Sequence, residues 1–281
     1  MTSRPRRPLV LVPGACLGGW AWSGVTARLR ACGHDVHAVT LTGLGERVHL
    51  AGRDVDLDTH VVDVVNLLDY EDLDDVVLVG HSYAGTVITG VADRRPGRLD
   101  AVVYLDTSPL PHGASITDMQ TPEQRERQRV EVERDGGGWR WPVPDGDTVA
   151  SGAYGSAAGL EAADLRLIQS RSTAQPYATF TSPLRLTGDY PGDLRRIAIF
   201  GADGGMSVAL LRELIEQGDP RAGAFADPDW EFHELPTGHW AMFSLPGPLA
   251  ELLHQIASRP VAEDGRTVSP TGPHRHVGSA S

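Results

Sequence analysis

The chain has 281 residues and a formal net charge of −12 at pH 7, and a length of this size fits one domain with an insertion. The acidity repels phosphate and anionic headgroups, and no apolar stretch reaches the ~18 residues of a bilayer span, so we expect a soluble, cytoplasmic protein without nucleic-acid or membrane partners. Two cysteines, Cys16 and Cys32, are too few for a disulfide framework, and the lack of any lysine excludes a P-loop, a Schiff base and a Ser-Lys dyad.

The hydrophobic pattern predicts strands that alternate with helices along most of the chain. The predicted strands are residues 9–12, 36–41, 76–79, 101–105, 197–200 and 230–235, and the predicted helices are 22–31, 59–68, 86–92 and 248–257. Alternation of this kind is typical of strands that lie side by side in one direction. We therefore expect an α/β fold with a mostly parallel sheet that helices cover on both faces.

The alternation breaks between residues 107 and 195, where proline and glycine are frequent. We expect an inserted cap there, above a core formed by residues 8–106 and 196–258, because segments that follow strand ends overhang the ligand crevice. Its charged stretch, 123–134, is interpreted as a solvated helix face. Trp139 and Trp141 either line a substrate pocket or fix the cap to the core, and Trp240 is a third pocket candidate. Residues 259–281 are predicted to be a disordered tail.

Ser82 stands in the sequence V-V-L-V-G-H-S-Y-A-G, between a β-branched apolar run and a second apolar stretch. Gly80 and Ala84 flank it with small side chains, as a strained strand-to-helix turn requires. The pattern departs from G-x-S-x-G only at Ala84. We interpret it as a nucleophile elbow that lifts the Ser82 hydroxyl above the sheet.

An elbow serine needs an imidazole that accepts its proton and a carboxylate that orients the imidazole. Among eleven histidines, His239 is the best placed, because it lies between the last predicted strand and the closing helix. Asp203 follows the strand at 197–200 and gives the chain order Ser, Asp, His. Asp106 also follows a strand and is the alternative acid. We expect Asp203 to fill this role.

The oxyanion that forms when a serine attacks a carbonyl needs two backbone donors. The residue after the nucleophile, Tyr83, and Ala15, in the loop after the first strand, are the candidates. The loop at 13–20 is rich in glycine, as expected where a backbone approaches a ligand closely. Its G-x-x-x-G-G pattern is not the dinucleotide pattern, so we expect no nucleotide, and we expect no metal or other cofactor.

These motifs resemble the α/β-hydrolase superfamily, and within it the branch of salicylate methyl esterases, hydroxynitrile lyases and their bacterial esterase relatives. The resemblance covers about residues 8 to 258 and rests on P-G-A-C-L-G-G-W-A-W, G-H-S-Y-A-G, F-G-A-D and G-H-W-A-M-F. One departure is Pro13, which stands where the branch usually has histidine. The resemblance implies an α/β-hydrolase fold with Ser82 as nucleophile, His239 as base, Asp203 as acid, and Ala15 and Tyr83 as oxyanion donors.

Lyases of this branch carry a lysine after the catalytic histidine, whereas this chain has Trp240 there, which disfavours cyanohydrin cleavage. The resemblance therefore implies a serine hydrolase that cleaves a carboxylic ester of a small molecule through an acyl-enzyme. A small or methyl ester, a thioester and a lactone all remain open as substrates. Two alternatives are a ligand-binding receptor and a hydrolase fold repurposed for ring opening or isomerisation of a natural product.

Overall fold

A computed structural model describes residues 6–188 and 194–259, so the tail predicted beyond Arg259 lies outside the described residues. In this part of the chain the strands are β1 (Leu9–Val12), β2 (Val36–Ala38), β3 (Val76–His81), β4 (Leu99–Leu105), β5 (Arg140–Trp141), β6 (Gln175–Pro176), β7 (Arg195–Gly201) and β8 (Trp230–Leu235). The α-helices are α1 (Ser23–Ala31), α2 (Leu57–Tyr70), α3 (Ala84–Arg94), α4 (Pro122–Asp135), α5 (Gly146–Ala150), α6 (Ala162–Arg171), α7 (Ala178–Thr181), α8 (Val208–Glu216), α9 (Ala241–Ser244) and α10 (Pro246–Ser258).

Six strands form one sheet in the order β2-β1-β3-β4-β7-β8, and all neighbours are parallel. Successive side chains of a strand point to opposite faces. In β3, Leu78 packs with α2 and α3 on one face, whereas Val77 and Val79 pack with α1 and α10 on the other. The sheet is therefore buried on both faces, which confirms the α/β fold predicted from the apolar runs.

The predicted strand at 36–41 is shorter in the structure, since β2 ends at Ala38. Beyond it, the Thr40 hydroxyl accepts the Gly19 amide at 2.7 Å, and Thr42 donates to Asp63 through its amide and its hydroxyl. These side-chain hydrogen bonds replace the sheet ladder. The apolar pattern could not reveal this change, because Val39 and Leu41 remain buried after the strand has ended.

Helices α4 to α7 and the antiparallel pair β5–β6 occupy the region between β4 and β7. Helix α4 contains the charged stretch, and its buried residues are Gln128 and Val132. The region contacts loops at the carboxyl ends of two core strands, because Thr173 donates to the Cys16 carbonyl and His239 donates to the Ser156 carbonyl. We call the described residues 107–188 of this region the cap. No helix of the described residues is long and apolar enough to cross a membrane.

Candidate active site

Ser82 lies immediately after β3 and two residues before α3, in the strand-turn-helix geometry that its sequence predicts. Its φ is 52°, a left-handed conformation that few residues other than glycine adopt. The turn is tightly packed, because a Cβ at Gly80 would lie 2.8 Å from the Ala84 carbonyl oxygen. A Cβ at Gly85 would lie 2.5 Å from the Thr107 hydroxyl. After the serine, position 85 is therefore the one that requires glycine, whereas position 84 accommodates alanine.

His239 and Asp106 form a hydrogen-bonded pair beside this turn. The Nδ1 atom of His239 lies 2.5 Å from Oδ2 of Asp106, and the other carboxylate oxygen accepts the Gly201 amide at 3.2 Å. Burial alone would raise the pKa of Asp106, but the hydrogen bond and charge of His239, together with the Gly201 amide, bring it below its usual value. Asp106 is thus held as a carboxylate that fixes the imidazole.

The expected partner of His239 therefore needs a correction from Asp203 to Asp106. Asp203 lies in a short 3-10 turn, Ala202–Gly204, where its side chain is exposed and its amide donates to the Thr237 carbonyl at 3.0 Å. The backbone at Gly201 passes so close to Thr237 and Gly238 that a Cβ there would lie 2.6 and 2.5 Å from their carbonyl oxygens. The chain enters the 3-10 turn at this point, and within the described residues no hydrogen bond joins the Asp203 carboxylate to the imidazole.

His81 packs against the His239 ring and donates a hydrogen bond to its backbone, an arrangement that the sequence did not predict. Its ring centroid lies 4.5 Å from that of His239, and its Nε2 lies 2.9 Å from the His239 carbonyl oxygen. Since a carbonyl only accepts, Nε2 carries a proton and donates. Burial lowers the pKa of His81, so the ring stays neutral at neutral pH. Its position before an elbow serine was the available signal, but a buried histidine is usually structural.

The cap holds the backbone around His239. The His239 amide donates to Ser156 at 2.8 Å, and the Gly238 amide donates to Ala158 at 3.1 Å. Gly155 lies directly against the imidazole, because a Cβ there would be 2.4 Å from Cγ of His239. The position of His239 therefore depends on cap residues, although His239 follows the last core strand in the sequence.

Ala15 and Tyr83 follow β1 and β3, so the structure brings both expected oxyanion donors to the same edge of the sheet as Ser82. Among the described residues, neither of their amides has a hydrogen-bond acceptor. Cys16 follows Ala15 and is buried in the same loop. Burial raises the pKa of its thiol to about 12, so the sulfur stays protonated and does not compete with Ser82 as a nucleophile.

One cavity of about 190 Å³ connects these groups. Ser82, His239, Ala15 and Tyr83 line it, together with mainly apolar side chains from the core and the cap. Trp141 and Trp240 are also lining residues, and Trp240 meets the His239 ring edge to face, with the two centroids 5.3 Å apart. The cavity is therefore a small apolar site with the reactive groups in its wall.

Trp139 does not line this cavity, so the pocket expectation for it is wrong. It lies in the turn before β5, where the guanidinium carbon of Arg140 lies 4.8 Å from the ring centroid and that of Arg53 lies 6.0 Å away. These contacts hold the turn from the outside. Within the described residues, no group of three or more His, Cys, Asp or Glu side chains could hold a metal ion.

Known proteins are similar to this chain in sequence. A carbendazim hydrolyzing esterase from Nocardioides sp. (strain SG-4G) is 36% identical over 248 residues, which are 87% of this chain and 97% of that protein. Salicylic acid-binding protein 2 of Nicotiana tabacum is 33% identical over 97 residues, which are 34% of this chain and 37% of that protein. The match to this plant protein therefore spans well under half of either chain.

The fold also matches solved structures. An extracellular alpha/beta-hydrolase from a Paenibacillus species superimposes with a TM-score of 0.73 at 18% identity, over 90% of this chain and 100% of that one. This likeness concerns the fold alone. A sequence model of the alpha/beta hydrolase family matches residues 9–252, which is most of the chain. The chain therefore belongs to the alpha/beta hydrolase family.

Proposed function

We propose that the protein is a carboxylic-ester hydrolase that uses Ser82, His239 and Asp106. The observation that carries this proposal is the shared cavity, whose wall contains an elbow serine and an imidazole that is paired with a partly buried carboxylate. The relatives named as esterases support the same reaction class. Asp106 takes the place that the sequence pattern had favoured for Asp203.

The reaction begins when Nε2 of His239 accepts the Ser82 proton and Oγ attacks the ester carbonyl. The Ala15 and Tyr83 amides, which are free to donate, stabilise the oxyanion. His239 then protonates the leaving alcohol, and Asp106 stabilises the imidazolium throughout. Water enters with His239 as base, the acyl group leaves as the carboxylic acid, and Ser82 is regenerated.

The cavity indicates the size and polarity of the substrate. Its walls include Leu17, Ile168 and Phe180, and its volume is about 190 Å³. An apolar site of this volume suits an ester with a small acyl group rather than a long chain or a highly charged one. Methyl esters are one class to test, because several relatives are named methylesterases.

The test is the pre-steady-state hydrolysis of p-nitrophenyl acetate and butyrate. Wild type and Ser170→Ala, which changes an exposed serine on α6, should release a burst of p-nitrophenol followed by turnover. Ser82→Ala should lose both phases. A fluorophosphonate should add its phosphonyl group to Ser82, with loss of fluoride, and mass spectrometry of the tryptic peptide would locate it. A silent wild type, or equal rates in Ser82→Ala, would refute the proposal.

Hydrolysis carried out in ¹⁸O-water separates this function from isomerisation or ring rearrangement. Deacylation by water places one solvent oxygen in the acid product, whereas an isomerisation adds none. A panel of methyl esters, together with carbendazim, would then define the substrate. A product of unchanged mass would favour the repurposed fold over the esterase.

A further inference from the structure

A buried polar chain links the oxyanion loop to the cap. The Cys16 amide donates to Oε1 of Gln175 at 2.8 Å, and Nε2 of Gln175 donates to the Thr179 hydroxyl at 3.0 Å. Gln175 and Thr179 are completely buried, and neither lines the cavity. A glutamine that is removed from water and bonded at both ends of its carboxamide has one fixed orientation. It therefore acts on the loop as a rigid brace.

The brace holds a strained residue. Cys16 has a φ of 64°, so the residue that follows Ala15 adopts a left-handed conformation without being glycine. Both of its backbone polar groups are bonded to the cap, because its carbonyl accepts the Thr173 amide at 2.9 Å while its amide donates to Gln175. A strained conformation persists when its surroundings determine it. Here the surroundings are residues 173–175.

The opposite side of the loop packs against the elbow. A Cβ at Gly14 would lie 2.7 Å from Nδ1 of His81 and 3.2 Å from Cβ of Ser82. Ala15 thus lies between a residue pressed on the nucleophile and a residue held by Gln175. Because the Ala15 amide is one bond from Gly14 and one residue from Cys16, these two contacts determine where its proton points.

The second oxyanion donor is tied to the same region through its side chain. The Tyr83 hydroxyl lies 2.7 Å from Nδ1 of His60, whose Nε2 lies 2.8 Å from the Thr42 carbonyl oxygen. Since the carbonyl can only accept, Nε2 of the neutral ring carries the proton and Nδ1 accepts from Tyr83. The Thr179 hydroxyl lies beside the same phenol. Thr179 therefore contacts both Gln175 and Tyr83.

We propose that Gln175 is a positioning residue for the oxyanion hole. It aligns the Ala15 amide by fixing Cys16. Through Thr179 it also maintains the position of the Ala15 amide relative to the Tyr83 amide. Gln175 itself does not touch the substrate. The inference rests on the proposed esterase function, since it assigns a task to the same site. It makes a cap residue part of the apparatus that stabilises the transition state rather than part of the substrate pocket.

The experiment compares Gln175→Met, which keeps length and bulk but removes both hydrogen bonds, with Gln255→Met, an exposed glutamine on α10. We expect kcat for p-nitrophenyl acetate to fall by about 10- to 100-fold in Gln175→Met, with KM within about threefold of wild type. The affinity of a trifluoromethyl ketone, which forms an oxyanion on Ser82, should fall in parallel with kcat/KM. The affinity of the product alcohol should not change.

A purely structural role predicts a different outcome. If Gln175 only stabilised the fold, the folded fraction of Gln175→Met would keep its kcat, and the trifluoromethyl ketone would bind to it as tightly as to wild type. That result would overturn the inference. If Gln175→Met does not fold, Thr179→Val decides the matter, because it leaves the Cys16 bond intact but removes the acceptor of the Gln175 amide. A several-fold loss of kcat supports the inference, and an unchanged kcat overturns it.

Fluorophosphonate labelling separates this inference from the esterase proposal. The reagent needs an activated Ser82 and an oxyanion hole for its phosphoryl oxygen, but it needs no knowledge of the natural ester. If wild type fails to react, the esterase proposal itself is refuted. If wild type and Gln175→Met react at equal rates, the esterase proposal stands and only the role of Gln175 is rejected.

Discussion

Replacing Asp106 with asparagine tests the corrected assignment of the acid most directly. The Asp106 carboxylate has two partners, with one oxygen accepting the Gly201 amide and the other facing Nδ1 of His239. In Asp106→Asn the amide oxygen must remain on the Gly201 N–H, since an NH₂ group there would oppose another donor. The NH₂ group therefore faces His239 and forces Nδ1 to accept. Nε2 then carries the proton and cannot take one from Ser82.

The expected loss is large because the wrong tautomer removes the base. Comparable substitutions in serine hydrolases lower kcat by about 10⁴-fold, which corresponds to about 5 kcal/mol of transition-state stabilisation. We expect a loss of that order for Asp106→Asn in the burst phase of p-nitrophenyl acetate hydrolysis. The matched variant Asp203→Asn changes an exposed carboxylate and should stay within about twofold of wild type.

Thermal unfolding of both variants controls for damage to the fold. Since the substitution at position 106 is nearly isosteric, the Tm of Asp106→Asn should stay close to that of wild type. The reasoning would be refuted if Asp203→Asn lost the burst while Asp106→Asn kept its rate within about threefold. Asp203 would then be the acid, and its outward position here would not be that of the reacting enzyme.

Three pairs of variants, each with its control, test the cap, the pocket and the buried His60. Gly155→Ala places a Cβ 2.4 Å from the His239 ring at a residue with a φ of +111°, so kcat should fall by about 10²-fold. At Gly223 an added Cβ would have no atom within 4 Å, so Gly223→Ala should keep the kcat of wild type in the same assay. Trp141→Ala should raise the rate with p-nitrophenyl hexanoate relative to acetate by about 10-fold, because it opens the cavity wall, and Trp139→Ala should leave the ratio unchanged. Burial lowers the pKa of His60 to about 4, so the unfolded chain binds the extra proton between pH 6.5 and 4, and stability is lost as pH falls through that window. Urea titrations should show that, between pH 7.5 and 5, the free energy of unfolding falls by about 2 kcal/mol less in His60→Asn than in wild type. An equal fall in both proteins would contradict this reasoning. The exposed control His49→Asn should behave as wild type.

Much of the core was predictable because a parallel sheet buried on both faces leaves a strong signal in the sequence. All six strands of the main sheet were predicted, and β1 and β8 were predicted with their observed ends. The elbow was predictable for the same reason, since β3 and α3 are apolar on either side of Ser82. Strand ends in such a sheet also identify the edge where reactive groups collect.

The choice between Asp106 and Asp203 was not predictable in this way. Both follow parallel strands and reach the same edge, so hydrophobic pattern and chain order do not distinguish them. The difference is the direction of the turn after each strand. Asp106 adopts a φ of 48°, whereas the chain after β7 enters a short 3-10 turn. The packing of Gly201 against residues 237–238 determines this turn, and those residues are far away in sequence.

From the sequence, the cap could be predicted only as a region where the alternation of strands and helices breaks. Trp139 and Trp141 are two residues apart, yet one is held by arginines outside and the other lines the cavity. Gln175 carried no local signal, because its importance comes from contacts with Cys16 and Thr179 across the fold. Residues of this kind are defined by their partners rather than by a motif.

The positions of Ser82 and Asp106 follow from the register of the sheet. Each residue comes directly after its strand and donates its amide to the next strand, Ser82 to the Leu105 carbonyl at 3.2 Å and Asp106 to the Ile199 carbonyl at 2.7 Å. Each then turns through a left-handed conformation, with φ of 52° and 48°. The last hydrogen bond of the ladder therefore holds each residue at the point where the turn is strained. Because adjacent parallel strands repeat this arrangement, the proposed nucleophile and the proposed acid are placed by the same backbone geometry, whereas His239 is held by its hydrogen bonds to Asp106 and to the cap.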